Sequence, residues 1–189
     1  MNGARILPRA IAAVAVSAAL LLSACASSAS GSKYFAFGSS TKLGTLIPVN
    51  DRKPAHPFSG SLVTGGKTSL AKYRGKVTVV NFFGSWCNPC QVETPQLALL
   101  ADKEKTVQFL GVDLADQMSS IKTFLTQSKV HYPVVFDEAD RVPLTLDVPT
   151  KGVPFTVLID KAGRVAAVYI SPVTPKDLEG PLARLSKQS

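Results

Sequence analysis

The stretch Val77-Thr78-Val79-Val80-Asn81-Phe82-Phe83-Gly84-Ser85-Trp86-Cys87-Asn88-Pro89-Cys90 decides how this chain is read. Its first seven residues are too apolar for a strand with one wet face, and so predict a strand buried on both faces. A Gly-Ser turn follows, and then two thiols three residues apart at the head of a helical pattern. An i,i+3 pair lies on one side of a helix, close enough for the two sulfurs to join. Cys87 falls at the helix N-terminus, where unpaired N–H groups and the macrodipole favour a thiolate. Pro89 falls in the first turn, where its missing N–H costs little. This arrangement predicts a reversible dithiol–disulfide switch.

C-x-x-C is also half of a zinc site, which would need two further ligands. The remaining candidates are Cys25, His56 and His131, and none stands in a paired spacing. Redox chemistry is therefore the leading reading, with no metal expected. A dithiol that holds a metal or haem for delivery stays open as an alternative, although the chain has no Met- or His-rich segment. The Pro-x-x-x-Thr-x-x-Cys pattern of thiol peroxidases is missing.

Outward from this motif, the element order can be traced. A hairpin is predicted at Phe58–Val63 and Lys67–Leu70 around Thr64-Gly65-Gly66. The buried strand covers Lys76–Phe83. A helix from Asn88 to Lys103 follows, with a kink expected at Pro95. Thr106–Asp113 reads as a strand, Ser119–Lys129 as an amphipathic helix and Pro133–Phe136 as a short strand. Asp137–Thr150 reads as irregular or briefly helical. Pro154–Asp160 and Arg164–Ile170 form a strand pair across Lys161-Ala162-Gly163. Thr174–Ser186 closes the chain as a helix, with Thr174 as N-cap and Pro175 in its first position. The order implies an α/β sandwich around a mixed sheet.

The amino terminus reads as an address. Residues 1–24 combine Arg5 and Arg9 with an apolar run from Ala10 to Leu22 and then small residues, the pattern of an export signal. The run is short for a permanent span, which needs ~20 residues. Leu22-Ser23-Ala24-Cys25 resembles a bacterial lipobox, which implies cleavage before Cys25 and a lipid on its sulfur. Such acylation would hold the protein on a membrane, on its outer or periplasmic face. Residues 25–51, rich in Ser, Gly, Lys and Pro, are expected to form a flexible tether, with Tyr34, Phe35 and Phe37 as stray linker aromatics. Residues 52–189 form the single domain. The formal charge of +8 falls to +6 without Arg5 and Arg9, and its positives are scattered. Nucleic acid is not an expected partner.

With motif and element order together, the chain resembles the thioredoxin-fold, membrane-anchored, extracytoplasmic family typified by TlpA and ResA. The resemblance rests on Tyr73-Arg74-Gly75-Lys76, on Val80 through Pro95, and on Gly152-Val153-Pro154-Phe155-Thr156 running to Leu158-Ile159-Asp160. His56-Pro57-Phe58 departs from the family's usual Pro-Asp-Phe at the domain's entry. The resemblance implies a thioredoxin-like three-layer sandwich with a mixed central sheet and an N-terminal hairpin. It makes Cys87 the attacking thiolate, Cys90 the resolving thiol and Glu93 the acid/base group. It makes Pro154 a cis-proline that leaves the Val153 backbone free for an extended substrate, and it puts Trp86, Asn88 and Pro89 on the docking surface. Asn81 stands where cytoplasmic thioredoxins carry a buried aspartate. The implied activity is thiol–disulfide exchange with exported proteins, and no cofactor is expected beyond the Cys87–Cys90 pair. Electrons would come from a membrane thiol–disulfide carrier and go to clients such as apocytochrome c. A disulfide-forming oxidase is the alternative.

Overall fold

A computed structural model describes Met1 and residues 32–146 and 152–188. The expected export signal, the lipidated Cys25 and the first part of the tether lie outside the described residues. Among the described residues, no helix is long and apolar enough to cross a membrane.

The described residues form seven strands: β1 (Ser59–Leu62), β2 (Lys67–Ser69), β3 (Val77–Phe83), β4 (Val107–Leu114), β5 (Val134–Asp137), β6 (Phe155–Ile159) and β7 (Val165–Tyr169). They form one sheet in the order β2-β1-β5-β4-β3-β6-β7. β3, β4 and β5 run parallel, while the hairpin β1–β2 and the pair β6–β7 are antiparallel to their neighbours. Among the described residues, four α-helices complete the domain: α1 (Asn88–Lys103), α2 (Met118–Gln127), α3 (Arg141–Leu146) and α4 (Pro175–Ser186).

β3 is the centre of the molecule, and all seven of its residues are buried. Alternation along it divides the core in two. Val77 and Val79 meet Leu97 and Leu100 of α1 and Leu178, Leu182 and Leu185 of α4. Val80 and Phe82 face the opposite layer with Val142 and Leu146 of α3, where Phe82 stacks on Phe155 at 4.1 Å. At the C-terminal end of β3, Phe83 joins Ile121 and Phe124 of α2 beside the two cysteines. The strand therefore delivers Gly84 to Cys87 to the top of the sheet on a fully packed stem. This is where a parallel sheet places its ligands.

α1 passes through Pro95 as one continuous helix. α4 starts where expected, in a capping box: the Asp177 carboxylate accepts from the Thr174 backbone N–H (2.8 Å), and the Thr174 side chain caps the third helical residue.

The tether expectation needs correction for residues 32–51. These residues pack on the domain as a strap along the free edge of β7. The Gly44 and Ile47 amides donate to the Val168 and Ala166 carbonyls (2.9 and 2.8 Å), and the Val165 amide donates to Lys53. Phe35 is buried in the same core layer as Phe82 and Phe155, rather than being a stray linker aromatic. Arg52 fastens the strap. Its guanidinium reaches Asp160 at 3.3 Å and Gln188 at 2.7 Å, and its Nε donates to the Ile47 carbonyl. Backbone pairing to a sheet edge needs no apolar periodicity, so composition alone favoured a linker.

Candidate functional site

The two cysteines form a disulfide, with Cα atoms 5.2 Å apart. Cys87 is the N-cap of α1, and the Cys90 amide donates to its Sγ at 3.3 Å. A thiolate at that position would receive this N–H and lie on the helix axis, both of which lower a thiol pKa. Cys90 lies entirely inside, whereas Cys87 stands at the rim. An incoming sulfur therefore meets Cys87 first.

The Val153–Pro154 peptide bond is cis, and the Val153 carbonyl oxygen lies 3.5 Å from Cys87 Sγ. The turn before β6 thus sits directly against the disulfide although it is more than sixty residues away in sequence. Trp86 is 56 % exposed, and its indole N–H donates to the Leu114 carbonyl (3.1 Å). Asn88 and Pro89 are exposed in the first helical turn. Of the expected docking residues, Val153 contacts Cys87 Sγ, while Trp86, Asn88 and Pro89 are exposed next to Cys87 in the chain.

Glu93 lies one helical turn beyond Cys90 and is only 2 % exposed. Its Oε1 accepts the Val173 amide at 2.7 Å, and its Oε2 accepts from the Asn81 side-chain amide at 3.3 Å. Burial pushes its pKa from 4.5 up to about 7, although both hydrogen bonds pull the other way. Desolvation wins because two donors cannot replace the full hydration of a carboxylate. The result is a buried group that can take or release a proton near neutral pH, one helical turn from Cys90.

Asn81 has a part that its place in the motif barely hints at. It is 1 % exposed in the middle of β3, and its amide donates both to Glu93 and to Thr156 Oγ1 (3.0 Å) across the β3–β6 ladder. Its own Oδ1 has no partner. Turning the amide over would offer that oxygen to a protonated Glu93 and to the Thr156 hydroxyl. Asn81 can therefore serve either protonation state of Glu93, which an aspartate there could not do without a second charge. Its position six residues before Cys87 was the only signal available. The Val173 amide, brought in by the loop after β7, left no signal at all.

The loop after β4 supports the other side of the site. Asp116 accepts the Ser85 amide at 2.7 Å, and Trp86 is held by Leu114. His131 is exposed. Among the described residues, no group of three or more His, Cys, Asp or Glu side chains is placed to hold a metal ion.

Comparison with known proteins gives a consistent result. The Redoxin family model matches residues 48–182. The thiol-disulfide oxidoreductase ResA of Bacillus cereus is 32 % identical over 136 residues, covering 71 % of this chain and 78 % of the relative. The protein of the same name in Geobacillus kaustophilus is 33 % identical over 137 residues, covering 71 % and 76 %. Among solved structures, a DsbF homologue from Corynebacterium diphtheriae superposes with a TM-score of 0.76 at 28 % identity, covering 80 % of this chain and 99 % of that one. A secreted thiol-disulfide isomerase from Corynebacterium glutamicum gives 0.76 at 25 % identity, covering 82 % and 98 %.

Proposed function

Since this chain belongs to the redoxin family and has its thioredoxin-like fold, we propose that it exchanges disulfides with exported proteins outside the cytoplasm, as a reductase serving cytochrome c maturation. Thiol–disulfide oxidoreduction itself is the activity of its relatives and of this chain. The direction of electron flow, the clients and the anchor are our reading.

In this reading the Cys87 thiolate attacks a client disulfide. One client sulfur leaves and takes a proton, and the other is held in a mixed disulfide. The Cys90 thiol gives its proton to Glu93 and attacks Cys87 Sγ, releasing the second client thiolate. Two electrons pass to the client, and the Cys87–Cys90 bond is formed. A membrane thiol–disulfide carrier would reverse these steps and regenerate the dithiol. An extended client segment such as apocytochrome c would lie along the Val153 backbone, as in β-strand addition, against Trp86, Asn88 and Pro89. No cofactor beyond the disulfide is needed. Cys25, lipidated, would keep the domain at the outer or periplasmic face of the membrane.

The observation that carries this reading is the buried carboxyl of Glu93 one turn from Cys90, with a pKa of about 7. A resolving thiol at a buried position needs such an acceptor. A second reading, disulfide-forming oxidase or isomerase, is favoured by the solved neighbours titled DsbF homologue and thiol-disulfide isomerase. The reduction potential of the full chain separates the two. A value near or below about −250 mV supports the reductase, and one nearer −150 mV supports the oxidase. Titration of the reduced chain with zinc or haem tests the delivery alternative, which requires tight stoichiometric binding.

A further inference from the structure

Asp113 ends the buried face of β4 beside the loop that carries the disulfide. Its ladder neighbours are Phe83 on β3 and Phe136 on β5. It is wholly buried, and no N–H or O–H donates to either carboxyl oxygen. Its charged neighbours are also acids. Asp116 lies within hydrogen-bonding reach from the β4–α2 loop, and Asp137 stands at the end of β5. Asp140 follows on the β5–α3 turn, with Arg141 opening α3. Its β3 neighbour, Phe83, does not titrate.

An anion without a donor, dehydrated and next to other anions, is not sustainable. Asp113 has a favourable state only as the neutral acid, whose O–H can be given to Asp116. The two neighbouring carboxylates already face backbone donors. Asp137 Oδ2 accepts the Val142 amide (2.7 Å), and Asp116 accepts the Gln117 and Ser85 amides (2.7 Å each). The Ser85 bond matters most, because Ser85-Trp86 leads directly into Cys87. Leu114, between Asp113 and Asp116, holds the indole of Trp86. The intervening Ala115 has φ +49°, a left-handed conformation that a non-glycine residue rarely takes without reason.

We propose that Asp113 is a positioning residue for the disulfide loop. As a neutral acid it donates to Asp116, and so fixes the carboxylate that holds Ser85 and Trp86 against Cys87. Loss of its proton sets two anions face to face and loosens that grip. Burial first, and then the Asp116 and Asp137 charges, push Asp113 up to about 8, so the grip holds at neutral pH and weakens above pH 8. The inference rests on the exchange site already assigned, and is independent of the direction in which electrons flow.

The chain contains a single tryptophan, Trp86, so its emission reads the loop directly. The oxidised full chain, in which Cys87 and Cys90 do not titrate, should show a proton-linked change in Trp86 emission with a midpoint near pH 8. Asp113→Asn, which keeps an N–H for Asp116 but cannot ionise, should abolish that step. Asp116→Asn, which removes the facing charge, should lower the midpoint by at least half a pH unit. Glu93→Gln should leave the step in place. The reaction of reduced Cys87 with a peptide disulfide should fall relative to Asp113→Asn as pH rises past the same midpoint. The proposal is overturned if the step persists in Asp113→Asn, vanishes in Glu93→Gln, or does not occur in the parent chain. Failure of the exchange reading would appear instead as a dithiol that does not react with the peptide at any pH.

Discussion

Glu93→Gln should make the oxidised protein more stable while slowing its chemistry, and the gain should depend on pH. In the folded protein the carboxyl titrates at about 7, against 4.5 as the ordinary value. Between those two pH values the folded state holds a proton that the unfolded chain has released, so stability falls as pH rises through this window. At about 1.4 kcal/mol per pH unit, the whole penalty approaches about 3 kcal/mol above pH 8, and only a fraction is present at pH 5. Glutamine escapes it. Its oxygen can still accept the Val173 amide, and a turned Asn81 can accept its amide through the unpartnered Oδ1. The gain of Glu93→Gln over the parent should therefore grow by about 2–3 kcal/mol between pH 5 and pH 8.5, or roughly 1 M in urea midpoint at ordinary denaturant dependence. Urea unfolding of both oxidised chains at the two pH values measures it. Comparing parent with variant cancels Asp113, which titrates in both. A pH-independent gain, or a loss that deepens at high pH, would refute the desolvation argument, and with it the case for Glu93 as proton acceptor.

Other expectations concern separate parts of the structure. Cys90→Ala should accumulate a mixed disulfide with a cysteine-containing peptide on non-reducing gels, whereas Cys87→Ala should form none, because Cys90 is sealed from solvent. Arg52→Met should cost about 2–4 kcal/mol in urea unfolding, since it leaves Asp160 buried with only Arg164 as partner; an unchanged midpoint would show that the strap is not anchored there. Gly84→Ala places a methyl group against the indole nitrogen and ring of Trp86. It should shift the emission of that tryptophan and slow exchange with a peptide disulfide several-fold, both measurable on one sample.

The parts of the fold that could be read from sequence are those in which a short-range pattern and the tertiary answer agree. Val77–Phe83 is apolar on both faces because it is central, and the cysteine pair, Pro89 and the helical run to Lys103 all point to one helix, which is observed with those bounds. Thr174-Pro175 announced α4 through capping chemistry alone. The strap was not legible, because its energetics lie in amides paired to β7 and in one arginine that contacts Asp160, 108 residues away. The site divides in the same way. Cys87 and Cys90 follow from their spacing at the head of one helix, whereas Glu93, one turn further on, takes its expected role from the family resemblance. Asn81, the Val173 amide and Asp116 reach the site through sheet register and loop closure, which a single sequence does not disclose. Asp113 ends the predicted strand Thr106–Asp113, and only the folded register beside Phe83 shows that it is buried.

The strap has a consequence for what this molecule can be mistaken for. A sheet normally ends in two rows of open amides and carbonyls, each a template for a stranger's strand. Here one margin is occupied by the chain's own residues 44–54, and the other is the three-residue β2. If its clients are the extended chains of the proposed function, each encounter would offer that kind of promiscuous zippering. With one margin occupied and the other short, the proposed function has a visiting backbone received at the Val153 turn beside Cys87 Sγ, so that capture and chemistry would coincide.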